Sequence, residues 1–286
     1  MIDPAAARRR FARAATSYAG ATRLESEVGA RLLERLDYVK LAPRRVLDLG
    51  CGPAREARAL ATRYPAARLL LVDFALPMLQ AARAPRGLLA RLRGAPVPMT
   101  LCADFACLPI ADDSLDLVFS NMALHWARDP LAVLREVRRV LCVDGLLLFS
   151  TLGPDTLKEL RAAAGAPRVH AFHDMHDLGD MLVAAGFAAP VMDREPISLV
   201  YADARALLAD LQGSGQTCAL ETRLRGLSGR KFRAALHAGL ERERREGRLP
   251  VSYEVLYGHA WKPALACTPK QPAIIRLTRR PGSESR

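Results

Sequence analysis

The amino-acid sequence predicts an α/β protein built on a mostly parallel, seven-stranded sheet with helices on both faces. Three observations predict it. Short apolar runs alternate with stretches of helical period through the first 150 of 286 residues, the first run stops at a glycine turn, and the next two end on acidic residues. Regular alternation of strand and helix is the pattern of a parallel sheet covered on both sides.

Each element follows in order. Residues 5–40 place Phe11, Ala14, Tyr18, Leu24, Val28 and Leu32 at helical spacing, predicting one or two helices ahead of the core. Residues 45–49 form a β-type run halted by Gly50, and residues 54–64 read as the next helix. Residues 68–72 are again apolar and end at Asp73, with a helix predicted from residue 77 to 83. Residues 97–103 and 115–120 supply a third and a fourth strand, residues 131–141 an amphipathic helix, and residues 145–151 a fifth strand. Beyond Gly153 come helices over 157–164 and 176–185 and a strand within 190–201. Residues 203–249 read as a charged helical insert, and residues 251–261 as the last strand. An insert between two late strands is placed to act as a lid. The chain therefore divides into N-terminal helices over the site (1–40), a core (41–202), the lid (203–249), a last strand completing the core (250–280) and a disordered tail (281–286).

Composition bounds the functions available. No apolar run approaches the roughly 20 residues of a membrane span, and no signal-peptide core follows Arg8, Arg9 and Arg10. The expectation is a cytoplasmic, monomeric protein that does not enter a membrane. The six cysteines, at 51, 102, 107, 142, 218 and 267, contain no C-x-x-C pair, so neither a metal site nor a disulfide framework is predicted. A formal net charge of +12 raises nucleic acid, an anionic membrane or an acidic protein as partners, although scattered arginine in Ala-rich helices can also be compositional habit.

Four stretches carry chemistry. In the first, Asp48-Leu49-Gly50-Cys51-Gly52, a glycine pair leaving a strand turns the backbone sharply and lets it approach a ligand. A dinucleotide fingerprint would need Gly or Ala at position 55, where Arg55 stands, so nicotinamide binding is disfavoured. Asp48 suits a positive amino group and would repel a pyrophosphate. Asp73, 25 residues later, has the strand-end position from which a carboxylate accepts both hydroxyls of a ribose, against the plainer reading of a helix cap. After the third strand, Asp104 is placed to accept an adenine amino group while Phe74 and Phe105 cover its ring, with Met78 in the adjoining helix. Phe105 taken singly reads as core. At the end of the fourth strand stand Asn121, a cofactor contact by position, and His125-Trp126, where the histidine is either a substrate contact or base, or simply packed.

These stretches resemble the class I S-adenosylmethionine (SAM) dependent methyltransferases, a Rossmann-like family, over residues 40–152. Ala54 stands where many members have a third glycine. The resemblance implies SAM as cofactor, its methionine end on the turn backbone, its ribose on Asp73 and its adenine on Asp104. The flanks are similar to the malonyl-acyl-carrier-protein O-methyltransferases of biotin synthesis: Phe11-Ala12-Arg13-Ala14-Ala15-Thr16-Ser17-Tyr18, Gly153-Pro154-Asp155-Thr156-Leu157, Asp210-Leu211-Gln212-Gly213-Ser214-Gly215 and Tyr253 to Pro263 carry that resemblance. It implies methylation of the free carboxylate of a malonyl thioester on an acidic carrier protein. Such a reaction needs no general base, since a carboxylate is already ionised at neutral pH. Tyr18 and Arg223 are the candidates to orient that carboxylate, against plain readings as a packing tyrosine and a solvated arginine. Arg223, Arg225, Arg230, Lys231 and Arg233 would steer the carrier.

Competing readings remain. A methyltransferase-like group of complex I assembly factors, linked to arginine hydroxylation, shares the Asp-Thr-Leu-x-Glu-Leu and Asp-Leu-Gln-Gly-x-Gly stretches, though the N-terminal pattern favours the biotin family. A non-catalytic SAM-binding protein is opposed by the intact Asp48, Asp73 and Asp104. Nucleic-acid methylation lacks the Asn/Asp-Pro-Pro-aromatic motif after strand four, where Asn121-Met122 stands.

Overall fold

A computed structural model describes residues 1–82, 98–165, 168–223, 226 and 229–264. The predicted tail at 281–286 and Arg225 fall outside the described residues.

Helix α1 (Pro4–Ala14) starts where Asp3 accepts the Ala6 N–H at 3.0 Å, with proline in the first turn. Helix α2 (Arg23–Arg35) lays Leu24, Val28 and Leu32 against the core. The alternating units then run β1 (Arg45–Leu49), α3 (Ala57–Arg63), β2 (Arg68–Asp73), α4 (Leu76–Ala82), β3 (Met99–Cys102), β4 (Leu115–Ser120), α5 (Pro130–Val140) and β5 (Leu141–Leu152). The later elements are α6 (Lys158–Ala164), α7 (Met175–Ala184), β6 (Ala188–Tyr201), α8 (Ala204–Gly213), α9 (Arg230–Arg242) and β7 (Leu249–Trp261).

The seven strands form one sheet in the order β3-β2-β1-β4-β5-β7-β6. β1 to β5 are parallel, and β7 runs antiparallel to both neighbours. Alternation of side chains divides the core between the two faces of the sheet. Val46, Leu117, Phe119, Leu146 and Leu148 pack on one face with α2, while Leu47, Val118, Leu147 and Phe149 pack on the other with α5 and α7. Edge strand β6 alternates half-buried and exposed positions, as a strand covered on one face does.

Three local differences from the sequence reading have physical causes. The helix expected from residue 54 begins at Ala57, because the turn runs on through Gly50, Gly52 and Ala54 with φ of +74°, +52° and +59°. Ala54 therefore holds a left-handed conformation that glycine would hold without the roughly 1–2 kcal/mol penalty. The insert is not helical throughout: between α8 and α9 the chain runs along the N-terminus, where Ile2 bridges Leu220 and the Asp3 N–H donates to the Ala219 carbonyl at 2.8 Å. β5 starts four residues earlier than expected, since Leu141 pairs with Leu115 across a register shift in β4.

Sheet order reverses between β1 and β4, because the chain builds outward to β3 before crossing back. That switch point opens a crevice at the carboxyl ends of the strands, where open α/β sheets bind ligands.

Candidate functional site

The turn after β1 is pinned to the neighbouring strand: the Gly50 and Cys51 N–H groups both donate to the Val72 carbonyl, at 2.8 and 3.0 Å. A Cβ on Gly50 would collide with the Ala123 methyl, so only glycine permits this approach. Beside the turn lies a cleft with about 500 Å3 of empty space, counting its open mouth. Tyr18, Gly50, Gly52, Asp73, Phe74 and Met78 line it, joined by Phe105 and Asn121.

Asp73 is the polar centre of this cleft. Its Oδ2 accepts the Gly52 N–H at 2.9 Å and its Oδ1 the Ala75 N–H at 2.8 Å, which fixes the carboxylate plane. Each oxygen retains capacity for a further donor. Burial pushes its pKa up to about 6, against the opposing pull of those backbone N–H groups. Asp48 lies beneath the turn rather than in the cleft wall; it is fully buried and its Oδ2 meets no partner. Burial first, and then the charges of Glu56 and Asp73, hold its carboxyl well above the usual range. Three acidic side chains gathered at and beneath the turn, with no arginine or lysine bonded to them among the described residues, favour a cationic ligand there. An amino-acid sulfonium nucleoside fits: acidic side chains for its positive end, Asp73 for a diol, Phe74 and Phe105 for a base.

Other expected contacts are placed differently. Asp104 is exposed and caps its own loop, accepting the Ala106 N–H at 2.9 Å, so Phe105 and Ala103 face the cleft instead. Cys51 is buried behind the turn, and burial pushes its thiol up so that it stays protonated. Asn121 reaches the cleft edge, but its amide is committed: Nδ2 donates to the Glu25 carbonyl at 2.9 Å and to Glu56 at 3.1 Å, and Oδ1 accepts from Ser150 at 2.7 Å. Its polar atoms tie α2 to β4 and β5. Tyr18 covers the turn, its ring 3.7 Å from the point a Gly52 Cβ would occupy, and burial keeps its phenol protonated.

A second, larger chamber of about 1270 Å3 adjoins the cleft. Trp126 lines both, and the Phe11 ring meets it edge-on at 4.9 Å, so the two aromatics form a partition. Leu152, Leu157, Leu160, Leu208, Leu211 and Leu236 make the chamber apolar. His125 lines it; burial drives its pKa down to about 3, so the imidazole is neutral. Arg223 also lines it, but the charge expected to orient a substrate is already matched by Asp3, 2.8 Å away. The Asp3 carboxylate thus joins the 203–249 insert to the start of α1. Arg230, Lys231 and Arg233 stand exposed on the first turn of α9, beside Phe232, which lines the chamber.

The sequence reading missed Arg10, Phe11 and Trp126 as site residues. Lone aromatics read as core, and no local period places an N-terminal helix across the strand ends.

Among the described residues no group of three or more His, Cys, Asp or Glu is arranged to hold a metal ion, and no helix is long and apolar enough to cross a membrane. The sequence matches the methyltransferase domain family over residues 47–149. It is 50% identical to a malonyl-[acyl-carrier protein] O-methyltransferase of Methylovorus over 92% of this chain and 90% of that protein. The homologue of the same description in Gallionella capsiferriformans is 46% identical over 97% of both. In fold, the chain is similar to the YcgJ protein of Bacillus subtilis, with a TM-score of 0.59, 18% identity, and coverage of 84% of this chain and 99% of that one.

Proposed function

The chain belongs to the malonyl-[acyl-carrier protein] O-methyltransferase family, and on that premise we propose that it methylates the free carboxylate of malonyl-acyl-carrier protein, the reaction that begins pimeloyl formation in biotin synthesis. The observation that carries this reading is the meeting of a cofactor cleft and an apolar chamber at one partition, Phe11 against Trp126. SAM, when bound, supplies an electrophilic methyl group on sulfur. Asp73 and the Gly50–Gly52 turn hold its ribose and methionine ends, and Phe74 with Phe105 covers the adenine.

The residues of the chain supply position and dryness. A malonyl carboxylate is ionised at neutral pH and attacks without a base, so holding it near the methyl and excluding water is sufficient catalysis. Tyr18 offers a neutral phenol at the cleft and His125 a neutral imidazole in the chamber, each able to donate a hydrogen bond to a carboxylate. Arg223 closes the chamber through Asp3.

The carrier protein docks on the lid. Arg230, Lys231 and Arg233 form an exposed basic turn, and acidic carriers are steered by such a face. Arg225 belongs to the same sequence cluster. We read the protein as a cytoplasmic monomer.

Incubating the protein with SAM and malonyl-carrier protein should yield a carrier heavier by one methylene and labelled at the distal carboxyl. An unmodified carrier in the presence of bound SAM would refute the reading and turn attention to the hydroxylase-like group.

A further inference from the structure

The chamber next to the cofactor cleft has an unusual wall. Its lining includes three arginines, Arg10, Arg168 and Arg223, and two histidines, but no aspartate or glutamate among the described residues. In a largely apolar cavity such a lining suits an anion, because a buried cation gains most from a charge it can pair. The three arginines are not equivalent. Arg223 is paired with Asp3, and Arg168 lies 3.6 Å over the Phe232 ring. Arg10 is half-buried, bonded through Nη1 to the neutral Thr217 hydroxyl, and has no carboxylate partner among the described residues. Facing it are the Cys218 thiol, Arg223, Arg13, Arg9 and His170, none of them a carboxylate.

A second, independent group points the same way. His125 Nε2 is shielded from solvent and meets no partner. Thr151 Oγ1 lies 3.3 Å from the other ring nitrogen, and a hydroxyl donating there leaves the imidazole proton on Nε2. Arg10 directly precedes Phe11 and His125 directly precedes Trp126, the two rings of the partition. Both groups are thereby tied to the two rings that border the cleft of the methyl donor.

Resting on the malonyl reading, we propose that Arg10 and the Nε2–H of His125 form the seat for the substrate's free carboxylate. Arg10 supplies charge and His125 a neutral donor, so the carboxylate is oriented yet remains unprotonated and nucleophilic. The seat distinguishes the substrate from its own product: once methylated, the ester has lost its charge and is released.

The test uses malonyl-pantetheine, which carries the carboxylate but no phosphate, and its methyl ester. For Arg10→Gln, KM for malonyl-pantetheine should rise about 10- to 100-fold, the factor for losing a charged hydrogen bond. The inhibition constant of the methyl ester and the Kd for SAM should change less than threefold. Arg10→Lys should recover part of the loss. His125→Gln, which keeps a neutral N–H, should retain more activity than His125→Ala. An equal loss for malonyl substrate and ester would overturn the seat, as would a loss seen only with phosphopantetheine-bearing substrates, which would assign Arg10 to the phosphate. Unfolding of Arg10→Gln, read as a lowered Tm, is separated by Arg10→Lys: if Lys restores Tm without restoring KM relative to the ester, charge recognition is refuted. A wild-type chain that makes no methyl ester overturns the reading beneath the seat; a wild type that makes it, with an Arg10→Gln variant of unchanged KM, overturns the seat alone.

Discussion

Replacing Asp73 by asparagine separates what the carboxylate does for the cofactor from what it costs the fold. In the free protein its two oxygens accept the Gly52 and Ala75 N–H groups, at 2.9 and 2.8 Å. Asparagine has the same size but one acceptor, so its NH2 confronts one of those N–H groups and leaves it unpaired, a cost of about 1–3 kcal/mol. An opposing gain exists. The carboxyl titrates at about 6 in the fold against 3.8 ordinarily, so the folded state binds the proton more readily than the unfolded chain. Stability from this group is therefore present below about pH 4 and lost as pH rises through about 6. At 1.36 kcal/mol per unit the loss is about 3 kcal/mol, and the amide, having no charge, avoids it. The two contributions nearly cancel at pH 7.5, so the variant should melt close to wild type. Cofactor affinity has no such compensation. Two hydroxyl-to-carboxylate hydrogen bonds, each about 1.5–3 kcal/mol, become one neutral bond; a loss of about 2–4 kcal/mol weakens SAM binding roughly 30- to 1000-fold. Titration calorimetry with SAM, beside thermal melts of the free protein from pH 5 to 8, measures both. Wild-type affinity should also fall below about pH 6, where Asp73 takes up its proton, while the variant stays flat. An Asp73→Asn variant that binds SAM within threefold of wild type would refute the ribose assignment; one with normal affinity but a Tm far below wild type would make Asp73 a turn residue alone.

Four further outcomes follow from the same geometry. Trp126→Ala joins the cleft to the chamber and admits water, so kcat should fall more than tenfold with little change in the Kd for SAM, as a rapid-quench assay beside calorimetry would resolve. Reversing Arg230, Lys231 and Arg233 to glutamate should raise KM for malonyl-carrier protein several-fold, more at low salt, and spare malonyl-pantetheine; equal effects on both substrates would remove the docking role. Gly258 faces Phe149 in β5 and Met192 in β6, and a Cβ there would collide with the Phe149 ring, so Gly258→Ala should destabilise by about 1–3 kcal/mol in urea melts. Lys262 donates to the Leu141 carbonyl and to Asp113, both at 2.6 Å, at the start of β5; Lys262→Met should cost about 1–3 kcal/mol through the carbonyl left unpaired, without altering KM.

What was legible in the sequence is what repeats locally. Period-two and helical-period runs marked all seven strands and the helices of the core, because each buried face must be written every second or every third to fourth residue. Gly50, Gly52 and Asp73 were legible as a turn and a strand end, since a left-handed backbone and a capping carboxylate impose residue types at fixed spacing. Met78, Phe74 and Phe105 came with them by adjacency. Asp104 and Asn121 show the limit of that adjacency: each has the expected place in the chain, yet one caps its own loop and the other spends its amide on Glu25, Glu56 and Ser150.

The sequence by itself determined the parallel core and the nucleoside-type cleft at its switch point, because both follow from contacts between residues close in the chain or in consecutive strands. Only the tertiary structure decided which cation is available to a substrate. Arg10 and Arg223 look alike as letters in basic stretches; Asp3, brought to Arg223 when the N-terminus lies along residues 219–221, neutralises one and leaves the other facing an apolar chamber. Pairing across more than 200 residues has no local period, and in a cavity of low dielectric it decides whether a charge is spent or waiting for a ligand.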